Sequence, residues 1–270
     1  MPAPSTEPGG VRPASAAGLY YPKDADGLRC ALRTLLGSGG NAGARLPKAL
    51  IVPHAGYIYS GVVAGHAYAL LEKSGRTLRR IVLLGPSHHE RFEGLALPAA
   101  QAFATPLGEM PVDAAAVRKL RALPRVIVSP SAHAFEHSLE VQLPFLERLA
   151  PAAAIVPILT GEASPAEVAE AITSVWDGPE TLVVVSSDLS HYHPYAEARE
   201  RDAATARAIV SGAESLTGDQ ACGCIAVNGL NHAARGLKLS AELLDLRNSG
   251  DTAGDKRRVV GYGAFGYFDA

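Results

Sequence analysis

The sequence predicts a single α/β domain in which a mostly parallel central sheet is flanked by helices. Three observations lead to this fold class. A chain of 270 residues is long enough to bury one large core. Hydrophobic residues make up 47% of the chain and charged residues 19%, which is a globular composition. Short apolar segments alternate with stretches of helical periodicity, a pattern typical of buried parallel strands joined by helices.

The predicted elements begin after a flexible arm. Residues 1–13 are rich in Pro, Gly and Ser and are predicted to precede the domain at 14–270. Apolar residues at helical spacing predict a first helix over Asp24 to Leu36, and the apolar segment Ala49 to Pro53 predicts the first buried strand. The same patterns predict helices over Val62 to Glu72, Glu136 to Leu149, Pro165 to Trp176 and Ala196 to Val210, and strands over Ile81 to Leu84, Val126 to Val128, Ile155 to Leu159 and Leu182 to Val185.

The C-terminal part of the chain has a different pattern. Two apolar segments, Leu239 to Leu246 and Val259 to Phe268, are joined by the polar sequence NSGDTAGDKR. Two strands separated by a polar turn are typical of an antiparallel pair at the edge of a sheet. We therefore predict that the domain ends in such a hairpin.

Charge and composition argue against two classes of partner. The chain has 25 Lys and Arg residues against 27 Asp and Glu residues, so it has no basic field that would attract a nucleic acid. No apolar segment approaches the roughly 20 residues needed to cross a bilayer. Three cysteines, an odd number, fit a reducing compartment. We therefore expect a cytoplasmic protein without a nucleic-acid or membrane partner.

Polar side chains follow three predicted strands at their carboxyl ends. The first strand runs into HAGY, the second into GPSHH and the third into SSDLSHYH. Loops converge at this edge of an open α/β sheet, and ligands bind there. The residues placed at this edge are His54, Tyr57, His88, His89, Asp188, His191, Tyr192 and His193, with His137 less securely.

Two interpretations compete for these side chains. A single histidine at a strand end is more often a core or capping hydrogen-bonding group than a metal ligand. Several histidines at one edge favour a metal site, because two imidazoles and a carboxylate hold non-haem iron or catalytic zinc, and imidazole also suits copper. We predict such a site at His54, His88 and Asp188, where Asp188 either binds the ion or orients a ligand histidine.

Other motifs carry less weight. Cys222 and Cys224 have no second cysteine pair and precede an apolar helical stretch, so the favoured interpretation is that they are structural thiols. The segment Glu136 to Glu140 is either an acidic helix start or a turn that brings His137 to the site. No phosphate-binding loop, dinucleotide fingerprint or nucleophile elbow occurs in the sequence.

The chain resembles the Memo family, also called AmmeMemoRadiSam system protein B, at these same residues. The resemblance extends in order over nearly the whole chain, which makes it specific. The matching motifs are VRPASAAGLYYP near the start, PHAGYIYSG at 53–61, LLGPSHH at 83–89, TPLGEMPVD at 105–113, EHSLEVQLPFL at 136–146, VPILTG at 156–161, VVSSDLSHY at 184–192, and SGDTAGDK to GYGAF at 249–265.

The resemblance implies a class III extradiol dioxygenase-like fold, that of enzymes that open catechol rings with non-haem iron(II). It implies that His54 and His88 are ligands and that His191 is the acid/base residue. The third ligand departs from the family pattern. Eukaryotic Memo proteins supply a cysteine near the C-terminal hairpin, where this sequence reads SGDTAGD. The oxygen ligand is therefore expected to be Asp188 or Asp251.

Three functions follow as hypotheses. The first is a metal-binding protein that holds iron(II), with copper or zinc as alternatives, and oxidises a small oxygen-rich substrate with His191 and Asp188 as catalytic residues. The substrate is then predicted to contact Tyr57, His89, His137, Tyr192 and His193. The second is a noncatalytic module that binds an anionic peptide or small ligand, because eukaryotic relatives resemble phosphopeptide-binding adaptors. The third is an accessory factor for radical-SAM and AMMECR-type proteins, which only the family name implies.

Overall fold

The computed structural model describes residues 9–37, 45–72 and 77–270. Most of the predicted flexible arm, 1–13, lies outside this part of the chain. Its last residues belong to the fold, because Val11–Arg12 forms a strand that pairs with Ala102 and Phe103. The Arg12 side chain is buried and forms an ion pair with Glu140.

The described residues form twelve strands and ten helices. The strands are β1 (Val11–Arg12), β2 (Ala49–Val52), β3 (Arg80–Pro86), β4 (Leu95–Leu97), β5 (Ala102–Thr105), β6 (Gly108–Pro111), β7 (Val126–Val128), β8 (Ala154–Thr160), β9 (Thr181–Ser186), β10 (His191–His193), β11 (Leu239–Asn248) and β12 (Val259–Asp269). The helices are α1 (Ala25–Gly37), α2 (Tyr57–Glu72), α3 (Ala114–Leu120), α4 (Pro130–Ala134), α5 (His137–Glu140), α6 (Leu143–Leu149), α7 (Pro165–Val175), α8 (Tyr195–Val210), α9 (Cys224–Leu237) and α10 (Ser249–Thr252).

The central sheet has nine strands and is mixed, so the prediction of a mostly parallel sheet is only partly correct. Eight strands follow the order β10-β12-β2-β9-β3-β8-β4-β7, and β11 pairs with β12. The four strands β2, β9, β3 and β8 are mutually parallel. Antiparallel pairs lie on both sides of them, between β12 and β2 and between β4 and β8. The predicted C-terminal hairpin is confirmed, and its short connection makes β11 and β12 antiparallel neighbours.

Two hydrophobic layers cover the two faces of this sheet. Successive strand residues point to opposite faces, so Leu50 and Val52 pack into one layer while Ala49 and Ile51 pack into the other. Helices α1, α2 and α6 contribute to the first layer, and α7, α8 and α9 to the second. Burial on both faces explains why the central strands are continuous apolar segments in the sequence.

Several elements differ from the sequence-based prediction. The helix predicted over Glu136 to Leu149 is two helices, α5 and α6, and Pro144 lies in the first turn of the second. Proline has no N–H for a helix interior but fits a first turn, which accounts for the break. A small sheet of β1, β5 and β6 was not predicted, because its strands have only two to four residues each.

The fold brings the candidate residues to one edge of the sheet. The parallel neighbours β2, β9 and β3 end just before His54, Ser187 and Ser87, respectively. Their following loops therefore converge at one place, as expected for the carboxyl ends of parallel strands. Among the helices that the structure describes, none combines the length and apolar character that crossing a membrane requires.

Candidate metal centre

A cavity of about 840 Å³ opens where these loops converge. Its volume is in the range typical of small-molecule sites. Side chains from the strand-end loops meet here with the segment that connects β11 to β12. The lining includes His54, His88, His137, Asp188 and His191, together with Tyr20, Tyr59, Tyr192, Ser249, Asp255, Arg257, Arg258 and Tyr262.

His54 lies at the buried end of the cavity, and its hydrogen bonds determine which ring nitrogen is free. Its Nδ1 is 3.0 Å from Ser186 Oγ. That hydroxyl donates to Ser138 O at 2.6 Å and accepts from Gln142 Nε2 at 2.8 Å. Because the single hydroxyl proton is already used, Nδ1 of His54 must be the donor. The Nε2 lone pair of His54 is therefore free to bind an ion.

The His54 ring is neutral near pH 7. Burial, and then the neighbouring His88 ring, lowers its pKa to about 3. A neutral imidazole is the form that binds metals. His54 is therefore ready to act as a ligand without losing a proton.

His88 is held in the same tautomer by a different group. Its Nδ1 is 2.9 Å from Glu136 Oε1, and its backbone N–H donates to Glu136 Oε2 at 2.6 Å. Burial opposes the charge of this carboxylate, but the hydrogen bond and charge of His88 outweigh burial and lower the pKa of Glu136 to about 2. Burial likewise opposes protonation of His88, but Glu136 outweighs it and raises the pKa of His88. A carboxylate that binds Nδ1–H leaves Nε2 for an ion, as in many metal sites.

Cys222 completes a group of three donors. Its Sγ is 3.4 Å from His54 Nε2 and accepts a hydrogen bond from the Asp188 backbone N–H at 3.3 Å. The ligand atoms of His54, His88 and Cys222 all lie within 4.8 Å of one another. Burial, and then the charge of Asp188, raises the pKa of the thiol. The thiol is therefore protonated when no ion is bound.

A close approach of two loops positions this thiol. The Gly223 N–H donates to Ser187 Oγ at 2.9 Å. A Cβ atom at Gly223 would lie 2.7 Å from Ser187 Cβ and 2.8 Å from Ser186 O, so only glycine fits there. Cys222, which the sequence favours as a structural thiol, thus lies beside the ring of His54. Cys224 is buried at the start of α9, as that prediction requires.

Comparison with known proteins agrees with these motifs. A model of the family described as "Memo-like protein" matches residues 12–265. The chain belongs to the Memo family. It is 38% identical over 271 residues to a MEMO1 family protein of Archaeoglobus fulgidus, covering 93% of this chain and 97% of that protein. A MEMO1 family protein of Aquifex aeolicus is 35% identical over 269 residues, with the same coverage.

A solved structure also shares the fold of this Memo family protein. The crystal structure of uncharacterized protein JW3007 from Escherichia coli K12 matches with a TM-score of 0.52 and covers 81% of this chain and 99% of that chain. Its sequence identity to this chain is 14%. This likeness therefore shows a shared fold and carries nothing about ligands.

The two aspartates predicted as oxygen ligands have other partners in this Memo family member. Asp188 lines the cavity, but its Oδ1 accepts hydrogen bonds from the backbone N–H groups of His54 at 2.8 Å and Ala55 at 3.3 Å. Burial raises its pKa against these hydrogen bonds. Asp251 is exposed and does not line the cavity, because its carboxylate caps α10 and accepts from Tyr195 Oη at 2.6 Å. Neither aspartate belongs to a donor cluster found among the described residues.

The residues predicted to bind substrate divide into two groups. His137 and Tyr192 line the cavity, as does His191. Tyr57 instead points into the core, where its hydroxyl donates to Val141 O at 3.0 Å. His89 is exposed and does not line the cavity. His193 does not line it either, and its Nδ1 lies 3.1 Å from Glu197 Oε1.

Several residues of this site were missed or weighed too lightly from the sequence. Tyr20 stacks on the His137 ring at 4.4 Å, and His88 stacks on His137 at 4.7 Å. Burial, and then His54, lowers the pKa of His137 to about 4, so this ring is neutral near pH 7. The sequence predicts Glu136 only as part of an acidic helix start. Its place directly before the candidate His137 was the available signal for a role in the site.

Proposed function

We propose that this Memo family protein binds one transition-metal ion at His54, His88 and Cys222 and acts on a small ligand in the cavity beside it. The observation that carries this proposal is the shared orientation of the two histidines. Both have their Nδ1–H groups occupied, by Ser186 and by Glu136. One ligand atom of each ring and Cys222 Sγ form one cluster of donors.

The chemistry of the donor set supports a soft or borderline ion. Two imidazoles and a thiolate suit copper and zinc, whereas iron(II) in oxygenases usually has two histidines and a carboxylate. Both oxygens of Glu136 accept from N–H groups of His88, and Oδ1 of Asp188 accepts from the backbone N–H groups of His54 and Ala55. We therefore rank copper first, then zinc, then iron(II). The Cys222 thiol would have to lose its proton when the ion binds.

The proposed activity is an oxidation similar to that of the extradiol dioxygenases. The ion would supply the redox or Lewis-acid chemistry at the buried end of the cavity. The stacked Tyr20 and His137 rings form an aromatic wall against which a planar substrate can lie. His191 lines the same cavity and is the residue that we assign to take a proton from a substrate hydroxyl.

Metal analysis tests the binding step. Protein purified without a tag is loaded separately with copper, zinc and iron(II) under anaerobic conditions and freed of excess metal. We expect stoichiometric metal in the wild type and loss of most of it in the double variant His54→Ala, His88→Ala. His232→Ala is the matched control, because this histidine pairs with Glu214 at the surface. Equal metal content in the double variant and the control would exclude the site.

Oxygen uptake tests the chemical step. Wild type and His191→Ala are loaded with each ion and mixed with catechols in an oxygen electrode cell. Faster uptake by the wild type is expected. If metal is bound but the two proteins consume oxygen at the same rate, the catalytic role fails. The noncatalytic binding module would then be the better description of this cavity.

A further inference from the structure

The mouth of the cavity is shaped by an irregularity in β10. In its antiparallel pairing with β12, His191 is opposite Val260 and His193 is opposite Val259, so Tyr192 is an extra residue without a partner. The φ angle of Tyr192 is 63°, a left-handed conformation that is uncommon for residues other than glycine. Such bulges redirect a side chain and are frequent beside active sites. Here Tyr192 is 62% exposed and lines the cavity mouth.

Two adjacent arginines reach this mouth and differ in their partners. Arg257 is occupied by Asp255, which accepts from its Nη2 at 2.7 Å, its Nε at 3.1 Å and its backbone N–H at 2.8 Å. Arg258 directly precedes β12, and its guanidinium lies 5.1 Å from the centre of the Tyr192 ring. Among the ion pairs of the described residues, none involves Arg258. Within the part of the chain that the structure describes, its charge is therefore not paired with a carboxylate.

An arginine that rests on an aromatic face keeps the N–H groups at its edge available. The guanidinium offers these donors in a planar fork that matches a carboxylate or a phosphate. The Tyr192 ring restrains the arginine through a cation–π contact without using those donors. Arg258 thus places a planar group of N–H donors at the mouth of the cavity.

We propose that the cavity takes a small molecule with a carboxylate or phosphate group and that Arg258 binds this group at the mouth. The rest of the ligand then points inward, toward His54 and His137. Tyr192 is the residue that positions Arg258. The proposal rests on the proposed function only in using the same cavity, because anion binding at Arg258 does not depend on a bound ion.

Binding of three small aromatic probes tests this assignment. Benzoate, phenyl phosphate and the neutral isostere benzamide are titrated into the purified full-length protein by calorimetry. We expect at least one of the two anions to bind about tenfold more tightly than benzamide. The tighter anion identifies the acid group. Arg258→Gln should reduce binding of that anion to the level of benzamide.

Matched variants separate recognition from net charge and from folding. Arg235→Gln removes the same charge from a surface residue that pairs with Glu214, and it should bind the anion as the wild type does. Tyr192→Phe keeps the ring and should also retain binding, whereas Tyr192→Leu should lose several-fold. Metal content is measured for each variant, so a failure of the metal site is seen separately. The proposal is overturned if the anions bind no more tightly than benzamide, or if neither anion binds at millimolar concentrations. It is also overturned if the Arg258 and Arg235 variants bind the anion equally well.

Discussion

Replacing Glu136 by glutamine removes the charge that holds His88 while nearly preserving shape. In the native protein Oε1 accepts from His88 Nδ1 at 2.9 Å and from the Ser138 N–H at 2.8 Å. Oε2 accepts from the His88 N–H at 2.6 Å. A glutamine has only one acceptor oxygen, so its NH₂ group must face an N–H donor in this buried position. We therefore expect Glu136→Gln to weaken both the fold and the metal site.

The expected magnitude follows from the pKa of Glu136. A pKa of about 2, compared with the ordinary glutamate pKa of 4.5, corresponds to about 3 kcal/mol of preference for the charged form. The pKa shifts of Glu136 and His88 come from the same interaction, so only one of them enters the expected loss of stability. We expect a loss of about 2 to 3 kcal/mol in the free energy of unfolding at neutral pH. Metal affinity should fall by about 10- to 100-fold, as when the carboxylate partner of a ligand histidine is removed.

The pH dependence of this effect has a defined sign. Since the folded-state pKa of Glu136 is lowered, its contribution is fully present above about pH 4.5 and is lost as the pH falls toward about 2. The unfolding free energies of Glu136→Gln and wild type should therefore converge over that interval. Urea unfolding and chelator competition for zinc are the assays, with the exposed Glu109→Gln as control. If Glu136→Gln has the same free energy of unfolding and the same zinc affinity as Glu109→Gln, this reasoning is refuted.

Three further predictions concern other buried groups. Arg12→Met leaves the Glu140 carboxylate buried without its cation and should lower the free energy of unfolding in urea by about 3 to 5 kcal/mol. Arg29→Met breaks an exposed ion pair and should lower it by less than about 0.5 kcal/mol. Similar losses in the two variants would contradict this prediction. Burial lowers the pKa of His133 to about 4, so protons bind to this ring more readily in the unfolded chain. The free energy of unfolding should therefore fall by up to about 3 kcal/mol between pH 6.5 and 4. A His133→Gln variant whose stability has the same pH dependence as the wild type in this interval would argue against this prediction. Cys222→Ser should weaken copper and zinc binding in chelator competition because it removes the thiolate, and affinities equal to wild type would exclude Cys222 as a ligand.

Local sequence patterns determined the elements and the edge at which the site lies. Apolar segments of four or five residues predicted the central strands, because a strand buried on both faces needs apolar residues at successive positions. The motifs after these strands identified His54, His88 and His191 at the cavity and indicated the family. These inferences succeeded because strand type and strand-end position depend on neighbouring residues in the chain.

The direction of the outer strands and the identity of the third donor were decided by tertiary structure. Cys222 lies 168 residues after His54, and it reaches the site because the segment before α9 packs against the loop after β9. The resemblance and its place in the C-terminal turn predicted Asp251 as an oxygen ligand, but the N–H of Asn248 and the hydroxyl of Tyr195 occupy its carboxylate. Which side chain faces an ion depends on the hydrogen-bond partners that fix its free atoms. Those partners come from distant segments, so only the packed chain determines them.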